Sequence, residues 1–171
     1  MKANHPVEFM AASMTLDINN TEKLNSFRQE LQRLKIPVLP PDVNASDALF
    51  TLESKGEEPA IRYALAAVKN VGGVAMATIV AEREANGPYA DLSDFFSRLD
   101  THSINRRQLE NLTRAGGLDC LDENRQKVFT GIETLMRHAV TAQNDRDSNQ
   151  IGLIYHPDHQ SVLCNYLLNH I

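Results

Sequence analysis

Cysteine is scarce in this chain of 171 residues. Cys120 and Cys164 are the only two, far apart and without a partner at metal-ligand spacing. That excludes a disulfide framework and a cysteine zinc site, and leaves two buried or idle thiols of the kind expected in a reducing cytoplasm. Positive charge is not in excess either: 17 Lys and Arg stand against 22 Asp and Glu, a net charge of −5. A protein coated in positive charge is therefore excluded, and any nucleic-acid contact must be a local, salt-sensitive patch. No apolar run approaches the ~20 residues of a membrane span, and the N-terminus lacks a signal-peptide core. Gly72-Gly73 is not followed by the Gly-Lys-Ser/Thr ending of a Walker phosphate loop, and no Ser/His/Asp arrangement is recoverable from spacing. Apolar side chains are plentiful, 42% against 23% charged, so the chain can bury a core in one ordinary domain or two small ones.

Apolar spacing and end signals divide the chain. Residues 5–16 read as a helix with Pro6 in its first turn. Asn19-Asn20-Thr21 offers caps for a second helix over 22–35, with Leu24, Phe27, Leu31 and Leu34 on one face. The prolines of Ile36-Pro37-Val38-Leu39-Pro40-Pro41 remove donors and fix φ, so this stretch reads as an extended edge segment. A turn over 42–46, a short strand over 48–52 and a charged loop over 53–59 complete a small α+β unit. Two helical arms, 61–70 and 74–85, follow. Asn86-Gly87-Pro88 stops the second arm. Further helices are expected over 91–99, 106–115 and 122–143, then a polar linker over 144–149. The fold class is mainly α: a small α+β segment, a tandem helix-hairpin-helix and a long helix.

The most informative stretch is Val68-Lys69-Asn70-Val71-Gly72-Gly73-Val74. A helix-forming run stops at a glycine pair and restarts at once. The first N–H groups of a helix have no internal partner, and the helix dipole adds partial positive charge there, so such a turn suits a phosphate. On the glycines alone a plain turn between packed helices is the favoured reading. Candidate phosphate contacts are Lys69, Asn70, Val71, Gly72, Gly73 and Val74, with Arg106 and Arg107 from a second, less regular hairpin. Thr101 and Ser103 add neutral donors. Cations at a helix start oppose its dipole, which tilts the reading toward a function for at least one of Arg106 and Arg107 over a solvated helix start. Asp91 and Asp94 read as helix-start residues, not a two-metal pair. His156, His159 and His170 near Cys164 lack the acidic or cysteine partner of a known metal pattern, so no metal site is expected.

These segments, in this order over about residues 1–153, resemble the alpha subunit of bacterial DNA polymerase III. Residues 2–12, from Lys2-Ala3-Asn4-His5-Pro6 onward, are similar to a fingers-domain helix. Pro40-Pro41-Asp42-Val43-Asn44 resembles a family segment. Ile61-Arg62-Tyr63 through Gly72 resembles the lead into its helix-hairpin-helix. Asn105-Arg106-Arg107-Gln108-Leu109-Glu110 and Ala115-Gly116-Gly117-Leu118-Asp119 resemble its second hairpin. The family usually has Gly where this chain has Asn70, a residue that tolerates left-handed φ.

The resemblance implies four parts: a distal fingers-like segment (1–60), a tandem helix-hairpin-helix DNA-binding domain (61–120), a helix and linker (121–147), and a degenerate clamp-binding motif with a divergent tail (148–171). It implies sequence-independent binding of the duplex DNA backbone, and cytoplasmic location. The family's template-directed, magnesium-dependent nucleotidyl transfer belongs to palm aspartates that nothing here matches. No chemistry and no cofactor are therefore expected of this piece. The abrupt opening at Met1 hints at an excised piece. Gln150 and Leu153 approach a clamp-binding motif, Gln-x-x-Leu-Phe, but Ile154 stands where its Phe is expected, and likeness then ends as in a frameshift. The implied partners are DNA, the sliding clamp and other polymerase III subunits. An alternative reading is a protein-interaction remnant docking on the clamp or on other polymerase domains.

Overall fold

A computed structural model describes residues 5–56 and 58–154. Residues 155–171, with the three tail histidines and Cys164, lie outside the described residues, as do residues 1–4 at the start of the fingers-like helix. The order is α1 (Pro6–Leu16), α2 (Thr21–Arg33), β1 (Val38–Leu39), β2 (Thr51–Lys55), β3 (Glu58–Arg62), a 3-10 turn (Leu65–Ala67), α3 (Gly73–Asn86), α4 (Leu92–Arg98), α5 (Arg106–Ala115) and α6 (Arg125–Ile154). The fold is mainly α with a small α+β segment, as the sequence implied.

Local chemistry explains most boundaries. Pro6 opens α1, and the Asn20 side chain caps α2 by accepting from the Lys23 N–H. The proline-rich stretch yields only a two-residue edge strand, parallel to β3, pairing Val38 with Ile61. β2 and β3 pair antiparallel from Thr51–Arg62 to Lys55–Glu58, around Gly56 at φ +68°. The charged loop expected over 53–59 is thus a β-hairpin. Its outward carboxylate, Glu53, closes a two-bond fork with Arg62 at 2.6 and 2.7 Å. The first helical arm, 61–70, is also corrected. The Ile61 N–H donates to Pro37 and the Tyr63 N–H to Leu39, so the sheet claims this backbone and leaves room for a single 3-10 turn. At the far end α6 runs on to Ile154 through the stretch expected as a linker. No proline interrupts it there.

Two buried clusters form. Met10, Met14, Leu31, Phe50 and Ile61 pack between α1, α2 and the sheet. Val71, Met76, Ile79, Phe95, Leu109, Leu112 and Ile132 pack among the later helices, with Val43 inserted from the Pro-Pro-Asp-Val-Asn segment. That segment is the joint. The Val43 N–H donates to Gly117, Asn44 exchanges two 2.8 Å bonds with the Tyr89 backbone, and Arg83 donates to the carbonyls of Val43 and Ser46. No helix among the described residues is long and apolar enough to cross a membrane.

Candidate nucleic-acid interface

The turn before α3 is held from below and open above. Asn70 takes φ +64°, the left-handed conformation that its short polar side chain tolerates. Val71 follows, fully buried, and pins the turn to the helical core. Gly72 is the N-cap, at φ 75° and ψ 130°, and no side chain caps the helix. Among the described residues no acceptor faces the N–H groups of Gly72, Gly73 or Val74. Lys69, Asn70, Gly72, Gly73 and Val74 are all exposed, Val74 at 81%. There is no acidic residue in the first turn of α3. The outcome is a row of unspent donors at the positive end of a 14-residue helix, beside one lysine.

The two glycines are not equivalent. A Cβ on Gly72 would stand 3.0 Å from Nε2 of Gln108, whereas one on Gly73 would meet only the Ala66 Cβ at 3.9 Å. Gly72 is needed for both its φ and its neighbour; Gly73 for neither.

The second hairpin differs. Asn105 caps α5 with a reciprocal pair of bonds: its side chain accepts from the Gln108 N–H at 3.1 Å, and the Gln108 side chain accepts from the Asn105 N–H at 2.8 Å. Arg106 is engaged with Glu110 and with Glu133 on α6, both at 2.7 Å. Arg107 is exposed and makes no ion pair among the described residues. Thr101 donates to Gln143 through its N–H and hydroxyl, and Ser103 donates to Asp100. The structure thus brings Lys69 through Val74 together in one open turn, leaves Arg107 free at the next, and spends Arg106, Thr101 and Ser103 on internal contacts. Gln108 is the residue that sequence reading missed. Its signal was the Asn-x-x-Gln spacing of a capping box.

Gln150 and Leu153 lie in α6, but their side chains are outside the described residues. Among those described, no three His, Cys, Asp or Glu side chains converge to hold a metal. Asp91 caps α4 by accepting from the Asp94 N–H at 2.9 Å, as expected. Cys120 is exposed as a residue, yet partial desolvation, and then hydrogen bonding to the Asp42 carboxylate, push its thiol pKa up to about 12.

A family model described as the helix-hairpin-helix motif matches residues 35–128. The chain belongs to that family. It is also similar to DNA polymerase III alpha subunits: 46% identical over 153 residues to that of Caulobacter vibrioides, 40% over 153 to that of Thermus aquaticus, and 39% over 153 to that of Neisseria meningitidis serogroup B. These matches cover 90% of this chain and 12–13% of each relative. The chain therefore spans about one eighth of the length of the curated relatives it matches. The resemblance read from the motifs is borne out.

Proposed function

We propose that this chain holds duplex DNA by its backbone, without sequence preference, as the helix-hairpin-helix part of a replicative polymerase. The observation that carries the reading is the uncapped start of α3, with unpaired N–H groups beside Lys69 in a turn fixed by Val71. A phosphate oxygen supplies the acceptor those donors lack, and contacts of this kind read the backbone and not the base sequence. Arg107 adds a cation from the start of α5. Template-directed, magnesium-dependent synthesis, in this proposal, belongs to parts of the polymerase outside this chain, and the working location is the cytoplasm.

The decisive variant is Val74→Asp. Its side chain is exposed, so the fold tolerates the change, and a carboxylate in the first turn favours the helix dipole by about 0.3–1 kcal/mol. The same carboxylate repels a phosphate. Duplex affinity at low salt is expected to fall about tenfold or more while thermal stability holds or rises. Unchanged affinity, or no duplex binding by the parent chain at low salt, overturns the reading. The net charge of −5 favours a second reading, docking on the sliding clamp through Gln150 and Leu153. In that case the chain binds purified clamp and ignores duplex.

A further inference from the structure

Besides the open turn, a strongly basic hollow stands out among the described residues. It lies between α2, the 3-10 turn and α5, has a volume of about 440 Å³, and is lined by Arg28, Lys69 and Arg114 with no acidic residue. Such a lining is unusual for a chain with more acids than bases. The three cations come from positions 41 and 45 residues apart in sequence, brought together by the fold. None of them makes an ion pair with a described residue. The Arg114 guanidinium is held instead over the Phe129 ring, 4.7 Å from its centroid. Asn25 and Asn111 add neutral polar groups.

The walls are of a different character. Tyr63 and Pro41 line this hollow together with Leu24, and Tyr63 is braced edge-on by Phe50 at 5.1 Å. A second hollow of about 400 Å³ shares Arg28, Pro41 and Tyr63 and continues beneath β1 toward Met14. The two meet at Arg28, Pro41 and Tyr63 as one groove, basic from Arg28 toward Lys69 and Arg114 and aromatic at its middle. Lys69 stands where the groove meets the turn at Gly72.

We propose that this groove binds single-stranded DNA, its phosphates on Arg28, Lys69 and Arg114 and a base against the Tyr63 ring. A positive track with an aromatic face is how strands are held without sequence preference, because every base has a π-face. A duplex does not fit the occupant. Its bases are stacked inward, it has no use for an aromatic wall, and it is too wide for hollows within the ~300–1,000 Å³ of small-ligand sites. The groove takes the strand where it parts from the duplex held at the turn.

The test titrates the purified chain into a labelled oligothymidylate and into a blunt duplex of the same length, at low salt. Arg28→Gln alters an exposed side chain without an ion pair, so folding, checked by circular dichroism, is retained. It is expected to weaken oligothymidylate binding about tenfold, to lower the salt slope on the single strand by about 0.7, and to leave duplex binding unchanged. Tyr63→Leu is expected to weaken the single strand by about fivefold or more. Retained single-strand affinity in both variants overturns the proposal, as does equal loss on duplex and single strand. The duplex reading fails separately: a chain that ignores duplex but binds oligothymidylate through Arg28 keeps the groove and loses the hairpin.

Discussion

Gly72→Ala tests whether the turn is set by conformation and packing or only by the presence of two small residues. Gly72 sits at φ 75° and ψ 130°, a region nearly closed to residues with a Cβ; an alanine there stores about 1–3 kcal/mol of backbone strain. The added methyl also stands 3.0 Å from Nε2 of Gln108. That amide is the end of a flexible side chain and can swing away. Its Oε1, however, accepts the Asn105 N–H, so moving it gives up a capping bond of about 1 kcal/mol. The combined cost is about 2–4 kcal/mol, which at a mid-range urea slope of about 2 kcal/mol per molar lowers the unfolding midpoint by about 1–2 M. Gly73→Ala is the control. Its Cβ meets only the Ala66 Cβ, at an ordinary contact distance of 3.9 Å, so its stability is expected within about 0.5 kcal/mol of the parent, or higher, since alanine suits a helix better than glycine. In the Gln108→Ala background the clash is absent, and Gly72→Ala is expected to cost about 1 kcal/mol less. Equal effects at the two glycines in urea melts followed at the helix band refute the reasoning. So does the absence of coupling to Gln108.

Three further outcomes follow from side-chain geometry. Asn105→Ala removes the acceptor of the α5 capping box and is expected to cost about 0.5–2 kcal/mol in the same urea assay. Glu53 is held below the usual carboxylate pKa by its hydrogen bonds to Arg62. A depressed folded pKa means that its stabilisation is complete above the unfolded value of about 4.3 and is lost as pH falls through the folded one. Melting temperature is therefore expected to drop below about pH 4.3, and Glu53→Gln to flatten part of that drop; an unchanged acid limb counts against the pair. In a Cys164→Ser background, Cys120 is expected to react slowly with a disulfide reagent at pH 8, because its thiol stays protonated with a pKa of about 12, and Asp42→Asn to speed it.

The helices were legible in the sequence because their signals are local. Caps at Asn20, Asp91 and Asn105, and the stop at Gly116 with its left-handed φ of +87°, act within one turn of chain. The first hairpin arm misled for a definite reason. Ile61, Ala64, Leu65 and Val68 recur at helical spacing, and the first three are fully buried. A strand end followed by a 3-10 turn buries the same positions, so burial periodicity could not separate the two; the pairing of Ile61 with Val38 and Leu52 decides it. The β2–β3 hairpin was hidden by its charges, of which Glu53 and Arg62 pair with each other across the two strands. In the site, the positive φ of Asn70 and the role of Gly72 were readable from residue type. The Gln108 contact beneath Gly72 and the meeting of Arg28, Lys69 and Arg114 were not, since each depends on packing between distant segments.

The two hairpin helices begin in opposite ways, and the contrast bears on which of them faces DNA. α5 closes its own N-terminus: the Asn105–Gln108 box satisfies two donors, and Arg106 ties the first turn to Glu133 on α6. α3 forgoes a cap, which costs about 1 kcal/mol relative to a good one, and its approach carries two departures from ordinary backbone, at Asn70 and Gly72 on either side of Val71. A side-chain cap is kept out at Gly72 itself, where a Cβ would stand 3.0 Å from Nε2 of Gln108 at a φ of +75°, while Val71 anchors the turn from below. An uncompensated helix start, preserved in shape by a buried valine and backed by the amide of Gln108, makes sense where an outside acceptor completes it. In the proposed reading the capped helix is the support and the uncapped one the contact. On this argument installing a cap is the informative perturbation, since it satisfies the donors internally. Gly72→Asn, the cap that best tolerates positive φ, trades the outside acceptor for an inside one. It carries the same Cβ as Gly72→Ala and adds a capping oxygen, so it is expected to bind duplex more weakly than Gly72→Ala does, and equal affinity of the two variants removes the case for the open turn.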